Sequence, residues 1–294
     1  MNNDKKNILL LGGAGYLGSH LRNQFSSYNV YFTSRTAIND AIALDLLDET
    51  TFQNIATRSY DCIILLASSL KGLGTTELKK EYLDTDSIGL PQFLQFVSKN
   101  KLTDKLVFIS SMTVYGIGNS LPVKETASLE PLSTYGLSKI VAEKVIDFHC
   151  KSNSTKGVIL RIPGIYGGER NSGFIYNTAI KCLRNEAREL DIATLGYWET
   201  IHIEDVSVWI ASFIANYNWQ ATIDVFNIGY GTKTDFIECA NLIKENLKSN
   251  SEISIKGTKG YCDFFLDNTK VKQHVPVKDK YKESLETYLK KLSV

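Results

Sequence analysis

Cysteine is scarce and scattered in this sequence of 294 residues. The five thiols are odd in number and lie far apart, at Cys62, Cys150, Cys182, Cys239 and Cys262. No two of them form a C-x-x-C pair, so their spacing fits neither a disulfide framework nor a structural zinc site. We therefore expect a reducing, cytoplasmic location and no bound metal.

A charge excess of either sign is also missing. The chain has 33 Lys and Arg against 32 Asp and Glu, which leaves a net charge of +1. Such a balance provides no general basic field to hold nucleic acid or an anionic membrane surface. Small-molecule partners are therefore favoured.

Long apolar runs are absent as well. No stretch approaches the roughly 18 residues that suggest a membrane-spanning helix. Lysines precede the apolar run at residues 8–11, which superficially resembles a signal peptide, but this run has only four residues before the glycines begin. We expect no membrane partner and interpret the segment as a buried first strand.

Short β-rich apolar runs alternate with longer stretches of helical periodicity. Together they predict a Rossmann-type α/β fold, with a doubly wound parallel sheet covered by helices on both faces. The predicted strands are 6–11, 29–33, 41–44, 61–66, 104–109, 157–161 and 224–228. The predicted helices are about 16–26, 76–99, 134–153, 205–217 and 235–248.

The alternation changes after residue 161. The segment IPGIYGGERNSG is glycine-rich and too poor in apolar residues for a strand or helix. A helical stretch, FIYNTAIKCLRNEA, and a short strand-like ELDIATL follow. We divide the chain into a nucleotide-binding domain, 1–162 plus about 201–228, and a smaller C-terminal substrate lobe, about 163–200 plus 229–294.

A glycine-rich turn joins the first predicted strand to the first helix in ILLLGGAGYLGSHL. Gly12, Gly15 and Gly18 suit a tight turn, close approach of a pyrophosphate and close packing of helix on strand. Tyr16 and Leu17 open the helix, whose amino terminus attracts phosphate. The strand before and the helix after this turn favour a nucleotide site over a simple tight turn.

Two later strand ends add candidate cofactor contacts. Asp45 and Leu46 follow the third apolar run, where Asp45 either bonds an adenine amino group or caps the following helix. Ala67 and Ser68 follow the fourth strand, where they either lie over the cofactor ribose or form a plain turn.

The segment YGLSK places Tyr135 and Lys139 four residues apart, hence on one face of a helix. A tyrosine hydroxyl has an unperturbed pKa of about 10, which suits neither an acid nor a base at neutral pH. A nearby ammonium and a cationic nicotinamide ring would favour the phenolate and lower that pKa. Lysine would also hold the nicotinamide ribose.

The strand before this helix ends in Ser110 and Ser111. Open α/β sheets bind ligands at the carboxyl ends of their strands. Ser111 is placed to donate to a substrate carbonyl oxygen as charge builds on it. The next residues, Met112 and Thr113, are candidate substrate contacts.

Six segments, in order, resemble motifs of the extended short-chain dehydrogenase/reductase superfamily of nucleotide-sugar epimerases, dehydratases and ketoreductases. They are GGAGYLG, SSMTVYG, ETASLEPLSTYGLSK, LRIPGIYG, IHIEDV and VFNIG, within roughly residues 7–230. The resemblance implies a Rossmann domain, bound NAD(P) and a catalytic triad of Ser111, Tyr135 and Lys139. Tyr135 would donate or accept the proton, Ser111 would assist at the carbonyl, and Lys139 would anchor the ribose and tune the pKa.

Two departures from the family's motifs bear on which reaction the chain catalyses and which cofactor it uses. Sugar-nucleotide 4,6-dehydratases carry an Asp-Glu pair directly after the catalytic hydroxyl, where this chain has Met112 and Thr113. Neither side chain exchanges protons near neutral pH, which argues against dehydration. NAD-preferring relatives end the second strand in an acid, whereas Ser34 and Arg35 offer a hydroxyl and a guanidinium to the 2′-phosphate of NADP.

The substrate side also departs from the family. Trp198 and Glu199 stand where many relatives have an Arg-Asp pair, and Gly164 stands where many have Asn. Arg170 and Asn171 are loop candidates for substrate contact. Other basic residues could contact phosphate but are more typical of solvated surface, namely Lys181, Arg184 and Arg188. We interpret His202 as a packing residue and Asp205 as the cap of the following helix. Arg161 ends a buried strand, where it could pair with a carboxylate.

We therefore predict an NAD(P)-dependent oxidoreductase that uses NADPH to reduce a keto group. The expected group is the 4-keto group of a nucleotide-activated deoxysugar. The first alternative is an NAD-dependent nucleotide-sugar 4-epimerase. A reductase of a small carbonyl or lactone and a non-catalytic NADP-binding regulator are further alternatives. The resemblance also suggests a homodimer through helices 76–99 and 134–153.

Overall fold

The computed structural model describes residues 5–36, 38–69, 73–191, 198–258 and 263–293. Its strands are β1 Asn7–Leu11, β2 Asn29–Ser34, β3 Ile42–Ala43, β4 Cys62–Leu65, β5 Lys105–Ser111, β6 Lys156–Ile162, β7 Gly164–Tyr166, β8 Arg188–Asp191, β9 Thr200–His202, β10 Ile223–Asn227 and β11 Ile253–Lys256. Its α-helices are α1 Tyr16–Arg22, α2 Lys80–Asp84, α3 Leu90–Lys99, α4 Thr134–Asn153, α5 Phe174–Leu183, α6 Ile203–Asn216, α7 Phe236–Asn246 and α8 Tyr281–Leu292.

Contacts divide the chain into two compact units. The first comprises Met1–Gly116, Ser128–Ile162 and Ile210–Phe226. The second comprises Ile117–Ala127, Pro163–Trp209 and Asn227–Val294.

Two segments that the sequence analysis placed in the nucleotide-binding domain group with the second unit. They are residues 117–127 and 201–209. The first segment joins that unit because the Val123 amide donates to Phe265 O and its carbonyl accepts from Asp267 N, both at 2.8 Å. The second joins it because β9 pairs with β7.

The first unit contains a seven-stranded sheet in the order β10-β6-β5-β4-β1-β2-β3. Strand β1 pairs in parallel with both β2 and β4, and the β4-β5 and β5-β6 pairs are also parallel. The predicted α/β fold class is confirmed. Because the chain leaves β1 in one direction and returns on its other side at β4, the β1/β4 boundary is the switch point where such sheets bind ligands.

Helix α3 shows why the covering layer forms. Its apolar side chains recur with helical period at Leu90, Phe93, Leu94 and Val97, and all four are buried. Phe93 is fully buried against Phe52, with ring centroids 5.6 Å apart. Burying a side chain of this size contributes about 1.5–3 kcal/mol.

The stretch predicted as one helix over 76–99 is interrupted. It begins at Lys80, and a π-helical turn, Thr85–Gly89, separates α2 from α3. None of the described helices has the length and apolar composition needed to cross a membrane.

The second unit has two short parallel pairs, β7 with β9 and β8 with β11. Strand β7 lies inside the segment that the sequence analysis described as an irregular loop. That prediction was wrong because three residues that pair with a distant strand leave no local periodicity. Of the predicted strand-like ELDIATL, residues 189–191 belong to β8 and residues 192–195 lie outside the described part.

Candidate active site

The turn after β1 lies at the switch point and is too tight for any residue but glycine. Gly12 has φ +81°, and a Cβ there would lie 2.9 Å from Ala67 Cα at the end of β4. The Gly12 amide donates to Thr33 Oγ1 at 2.8 Å, which fixes the turn against β2. The ends of three neighbouring strands thus meet at one backbone cradle.

Helix α1 follows this cradle directly. Gly15 occupies its N-cap position, and no side chain caps the helix there. Tyr16 and Leu17 form the first turn, and Gly18 is buried where the helix packs on the glycine turn. The positive end of the helix dipole is therefore left for a phosphate group.

Ser68 provides a direct test of whether a dinucleotide fits this cradle. Its hydroxyl oxygen is buried and has no hydrogen-bond partner within the described residues. Buried polar atoms are nearly always paired in folded proteins. A buried hydroxyl left unpaired beside the Gly12 turn fits a cofactor ribose, so the residues present suit NAD(P).

Asp45 has a different local role from the one predicted for a helix cap. Its Oδ1 accepts from Leu47 N at 3.0 Å in a turn. Asp48 instead caps the 3-10 helix Glu49–Ile55, because its side chain accepts from Thr50 N. The adenine contact predicted for Asp45 stays a prediction, and Leu46 lies in the apolar core.

Two guanidinium groups lie near the end of β2. Arg35 is exposed, and the buried Ser34 hydroxyl accepts from Thr36 N at 3.2 Å. Arg22 of α1 stacks over Phe32, with its Cζ 3.9 Å from the ring centroid and its Nε buried without a hydrogen-bond partner. Sequence reasoning missed Arg22 because a basic residue on a short helix resembles a surface charge.

Helix α4 begins where Ser133 caps it by accepting from Gly136 N at 3.1 Å. A Cβ on Gly136 would lie 2.5 Å from Thr113 O. Glycine is required here because the helix start touches the turn that follows β5. This contact brings the first turn of α4, with Tyr135, against the turn that carries Ser111.

Ser111 caps that turn, a 3-10 helix over Met112–Val114. Its Oγ accepts from Thr113 N at 3.2 Å and from Thr113 Oγ1 at 3.0 Å. Both acceptor positions of the Ser111 oxygen are therefore in use, and its own proton remains to be donated. Met112 is buried and Thr113 half-buried, so neither is a broadly exposed contact.

Lys139 lies one helical turn below Tyr135 and is 2% exposed. Its Nζ approaches Ile109 O at 3.4 Å and the Phe108 ring at 4.6 Å, which ties it to β5. Burial lowers the pKa of Lys139, whereas the nearby Asp86 and Glu143 carboxylates raise it.

Asp86 is a buried acid beside this pair that sequence reasoning missed. Burial raises the pKa of Asp86, while Lys139 and Ser138 lower it. The pKa of Tyr135 is raised, mainly by burial and further by Asp86. The sequence analysis expected Lys139 and the cofactor ring to lower that pKa; within the protein itself, burial and Asp86 act in the opposite direction.

A buried ion pair lies further along the same face of α4. Glu143 accepts from Arg161 Nε at 3.0 Å and from Arg161 Nη2 at 2.6 Å. Ser110 Oγ donates to Glu143 Oε1 at 2.6 Å, and Arg161 Nη1 donates to the Tyr115 hydroxyl at 2.9 Å. The network joins the ends of β5 and β6 to the helix that carries Tyr135.

In the second unit, the candidate substrate residues lie in a loop. Arg170 Nη1 donates to Ile165 O at 2.8 Å, and its Nε to Ser172 Oγ at 3.3 Å. Asn171 is exposed. Substrate contact by either residue stays a prediction.

The two residues that replace the family's Arg-Asp pair are both used in packing. Trp198 stacks on Phe236, with ring centroids 4.6 Å apart and an interplanar angle of 15°. Glu199 is fully buried and accepts from Leu266 N at 2.8 Å and from Gly231 N at 3.4 Å. Burial raises the pKa of Glu199 to about 8 despite these amides.

His202 and Asp205 lie in a neighbouring buried network. Asp205 is in the first turn of α6 and accepts from the Tyr230 hydroxyl at 2.6 Å and from Ser284 Oγ at 2.5 Å. Its carboxylate therefore joins distant segments instead of capping the helix. Nδ1 of His202 accepts from Glu204 N at 3.3 Å. Within the described residues, no cluster of three or more metal-ligating side chains occurs.

Comparison with known proteins places the chain in a family. The model of the NAD dependent epimerase/dehydratase family matches residues 8–229. A putative UDP-glucose 4-epimerase of Methanocaldococcus jannaschii is 28% identical over 261 residues, covering 83% of this chain and 84% of that protein.

Two solved structures share the fold. A UDP-glucose 4-epimerase of Thermotoga maritima, solved with UDP-glucose, has a TM-score of 0.83 at 23% identity and covers 97% of this chain and 98% of its own. RMD of Pseudomonas aeruginosa, solved with NADPH, has a TM-score of 0.79 at 18% identity and covers 98% of this chain and 99% of its own. At these identities the structures show the fold alone.

Proposed function

The chain belongs to the NAD dependent epimerase/dehydratase family, and from that premise we propose that it is a nucleotide-sugar 4-epimerase. The observation that carries the chemistry is the close approach of Gly136, next to Tyr135 in α4, to Thr113 of the Ser111 turn, with Lys139 Nζ 3.4 Å from Ile109 O of β5. Among the reactions of this family, the activity named for the Methanocaldococcus relative favours epimerisation over the reduction ranked first in the sequence analysis.

NAD(P), when bound at the Gly12 turn, would supply the hydride acceptor and donor for the sugar C4. Tyr135 takes the proton of the 4-hydroxyl as C4 is oxidised and returns a proton to the same oxygen as C4 is reduced on its other face. Ser111 donates a hydrogen bond to that oxygen, which stabilises it while it is a carbonyl. Lys139 would hold the nicotinamide ribose of the cofactor. The net change is an isomerisation with no cofactor consumed.

The cofactor-binding residues proposed are the turn Gly12, Gly15 and Gly18 with Tyr16 and Leu17, and the strand-end residues Ser34, Arg35, Asp45, Leu46, Ala67 and Ser68. We infer that NADP is favoured over NAD. Arg35 and the stacked Arg22 offer two cationic groups beside β2, whereas an acid at the strand end would repel a 2′-phosphate. Recycling of the hydride does not depend on which dinucleotide is bound.

An NADPH-dependent 4-ketoreductase is the second candidate, and Arg35 is the observation that favours it. Enzymes that consume NADPH need to select it from a mixed pool, whereas an epimerase that retains its cofactor does not. Proposed substrate contacts are the same in both cases: Met112, Thr113, Arg170 and Asn171.

The test is to incubate the purified protein with UDP-glucose and UDP-N-acetylglucosamine while following both the sugar products and the absorbance of reduced nicotinamide. Formation of the C4 epimer with no lasting absorbance change is expected. The protein could instead consume NADPH stoichiometrically when it is given a 4-keto nucleotide sugar, and form no epimer. That result would contradict the epimerase and support the reductase. Cofactor released by denaturing the protein identifies NADP or NAD.

We also propose a homodimer through the helices of the first unit. Phe148 on α4 is 74% exposed and Ile88 beside α3 is 42% exposed, and in this proposal a second copy of the chain would cover both. Sedimentation of the wild type at twice the monomer mass is expected. A monomer for Phe148→Glu alongside a dimer for the wild type would support this surface, and a monomeric wild type would contradict it.

A further inference from the structure

The buried ion pair of Glu143 and Arg161 has no role in the chemistry proposed above. Glu143 lies on α4 and Arg161 on β6, and each residue is 4% exposed. A buried ion pair is weak evidence for stability, because apolar side chains of similar volume often stabilise a fold as well or better. The contacts of the pair with its neighbours are therefore the evidence for what it does.

The carboxylate of the pair holds the start of the turn that carries Ser111. Ser110, the residue before Ser111, donates from its Oγ to Glu143 Oε1 at 2.6 Å. Tyr135, Lys139 and Glu143 follow one another at intervals of four residues, so they form one stripe along α4. The hydrogen bond of Ser110 thus ties the backbone next to Ser111 to the stripe of α4 that carries Tyr135.

The guanidinium of the pair holds the other end of the same turn. The 3-10 helix Met112–Val114 has Ser111 as its N-cap and Tyr115 as its C-cap. Arg161 Nη1 donates to the Tyr115 hydroxyl at 2.9 Å, and Arg161 Cζ lies 4.8 Å from the centre of the Tyr115 ring. Arg161 Nε and Nη2 donate to the two carboxylate oxygens of Glu143 at 3.0 Å and 2.6 Å. One guanidinium therefore binds the end of the turn and also the carboxylate that binds its start.

The contacts inside the turn do not fix where it lies against α4. Ser111 Oγ accepts from Thr113 N at 3.2 Å and from Thr113 Oγ1 at 3.0 Å, which orients the serine relative to its own turn. Gly136 allows the turn to come close, because a Cβ there would lie 2.5 Å from Thr113 O, but this contact sets only the closest approach. Glu143 and Arg161 supply an attraction that holds the turn at that distance.

We propose that Glu143 and Arg161 are positioning residues that hold the Ser111 hydroxyl in register with Tyr135. The inference rests on the proposed function, in which both hydroxyls meet one sugar oxygen during oxidation and again during reduction. A displacement of about 1 Å between such groups can cost on the order of 100-fold in rate. Loosening the turn should therefore lower kcat, whereas binding of NADP at the Gly12 turn should change little.

The test uses Tyr115→Phe and Ser110→Ala, each of which removes one hydroxyl of the network and leaves the ion pair in place. Tyr217→Phe is the matched control for the tyrosine, because it removes a hydroxyl that donates to Asp224 Oδ2 at 3.1 Å elsewhere in the first unit. Ser207→Ala is the control for the serine, because it removes a fully buried hydroxyl in the second unit.

Hydrogen exchange measured by mass spectrometry on peptides that cover residues 111–115 reports the turn without any substrate. The amides of Thr113 and Tyr115 donate to Ser111 Oγ and to Met112 O, so their exchange follows opening of the turn. Losing a hydrogen bond to a charged group should make this exchange about 10-fold faster in both network variants. We expect kcat to fall by about 10-fold or more in the same variants, with the Kd of NADP close to that of the wild type. The two controls should match the wild type in all three measurements.

The outcomes separate the positioning role from the proposed function. An active epimerase whose kcat is unchanged in both network variants would overturn the positioning role and keep the function, even where thermal unfolding shows both variants to be less stable. Equal effects in the two controls would overturn the positioning role as well. Faster exchange confined to the turn, in a protein that epimerises no nucleotide sugar, would keep the positioning role and reject the function.

Discussion

The two units treat buried carboxylates in opposite ways. In the first unit, Glu143 is paired with Arg161, and the charge of Lys139 lowers the pKa of the buried Asp86 against the effect of burial. In the second, Glu199 is held by backbone amides, and no cation of the described part of the chain affects its pKa. Removing a charge from water is costly unless a partner compensates. In the first unit the Glu143 carboxylate stays charged beside Arg161, on the helix that carries Tyr135. In the second unit burial favours the neutral form of the Glu199 carboxyl.

The largest effect is expected from the hydroxyl of Tyr135. Loss of a general acid-base group typically costs about 100- to 10,000-fold in rate, so Tyr135→Phe should reduce kcat by that order with the fold intact. Tyr166→Phe is the matched control in the second unit because its buried hydroxyl has no hydrogen-bond partner among the described residues. Near-normal turnover by Tyr135→Phe would contradict the proposal that Tyr135 exchanges the proton of the sugar hydroxyl.

The ion pair of the first unit should be the next most sensitive feature. Glu143→Gln leaves the Arg161 guanidinium buried without its counter-charge, which should cost about 3–5 kcal/mol of unfolding free energy. Asp147→Asn on the same helix breaks an exposed pair with Lys151 and should cost under about 0.5 kcal/mol. Chemical denaturation measures both. Equal losses would show that burial does not distinguish the two pairs.

Arg35→Ala should change cofactor selection. Loss of a charge-assisted bond to the 2′-phosphate costs about 1.5–3 kcal/mol, so the Kd of NADPH should rise roughly 10- to 100-fold. NADH binding should be nearly unaffected. Arg58→Ala is the control because Arg58 stacks on Tyr31, the neighbour of Phe32 on β2. Equal weakening of both dinucleotides would make Arg35 an unspecific surface charge.

A pH dependence of stability should originate in Glu199. Its folded pKa of about 8 exceeds that of an unfolded glutamate, about 4.3. The unfolded chain therefore loses its proton first, so this group's stabilisation is complete below about pH 4 and declines until about pH 8. Thermal unfolding of Glu199→Gln should show a smaller decline over that range, whereas the exposed Glu189→Gln should match the wild type. An unchanged decline in Glu199→Gln would mean that Glu199 is ionised in the fold.

Features with local chemical signatures could be predicted from sequence. The Gly12 turn follows an apolar strand, and helix α4 begins at a Ser133 cap and spans the predicted residues 134–153. The π-helical turn that carries Asp86 could not be predicted because the apolar periodicity of α3 continues past it. Strand β7 was missed because its partner β9 lies about 36 residues away, and pairing at that distance leaves no local pattern.

The central claim is that C4 is oxidised and then reduced by the same hydride while Tyr135 exchanges the proton. The direct measurement is to convert UDP-glucose carrying deuterium at the sugar C4 and to analyse the product by mass spectrometry and NMR. Epimer that retains deuterium at C4, with no label in free nicotinamide, is the predicted result. Loss of the deuterium to solvent, or its appearance in released NADPH, would contradict the account.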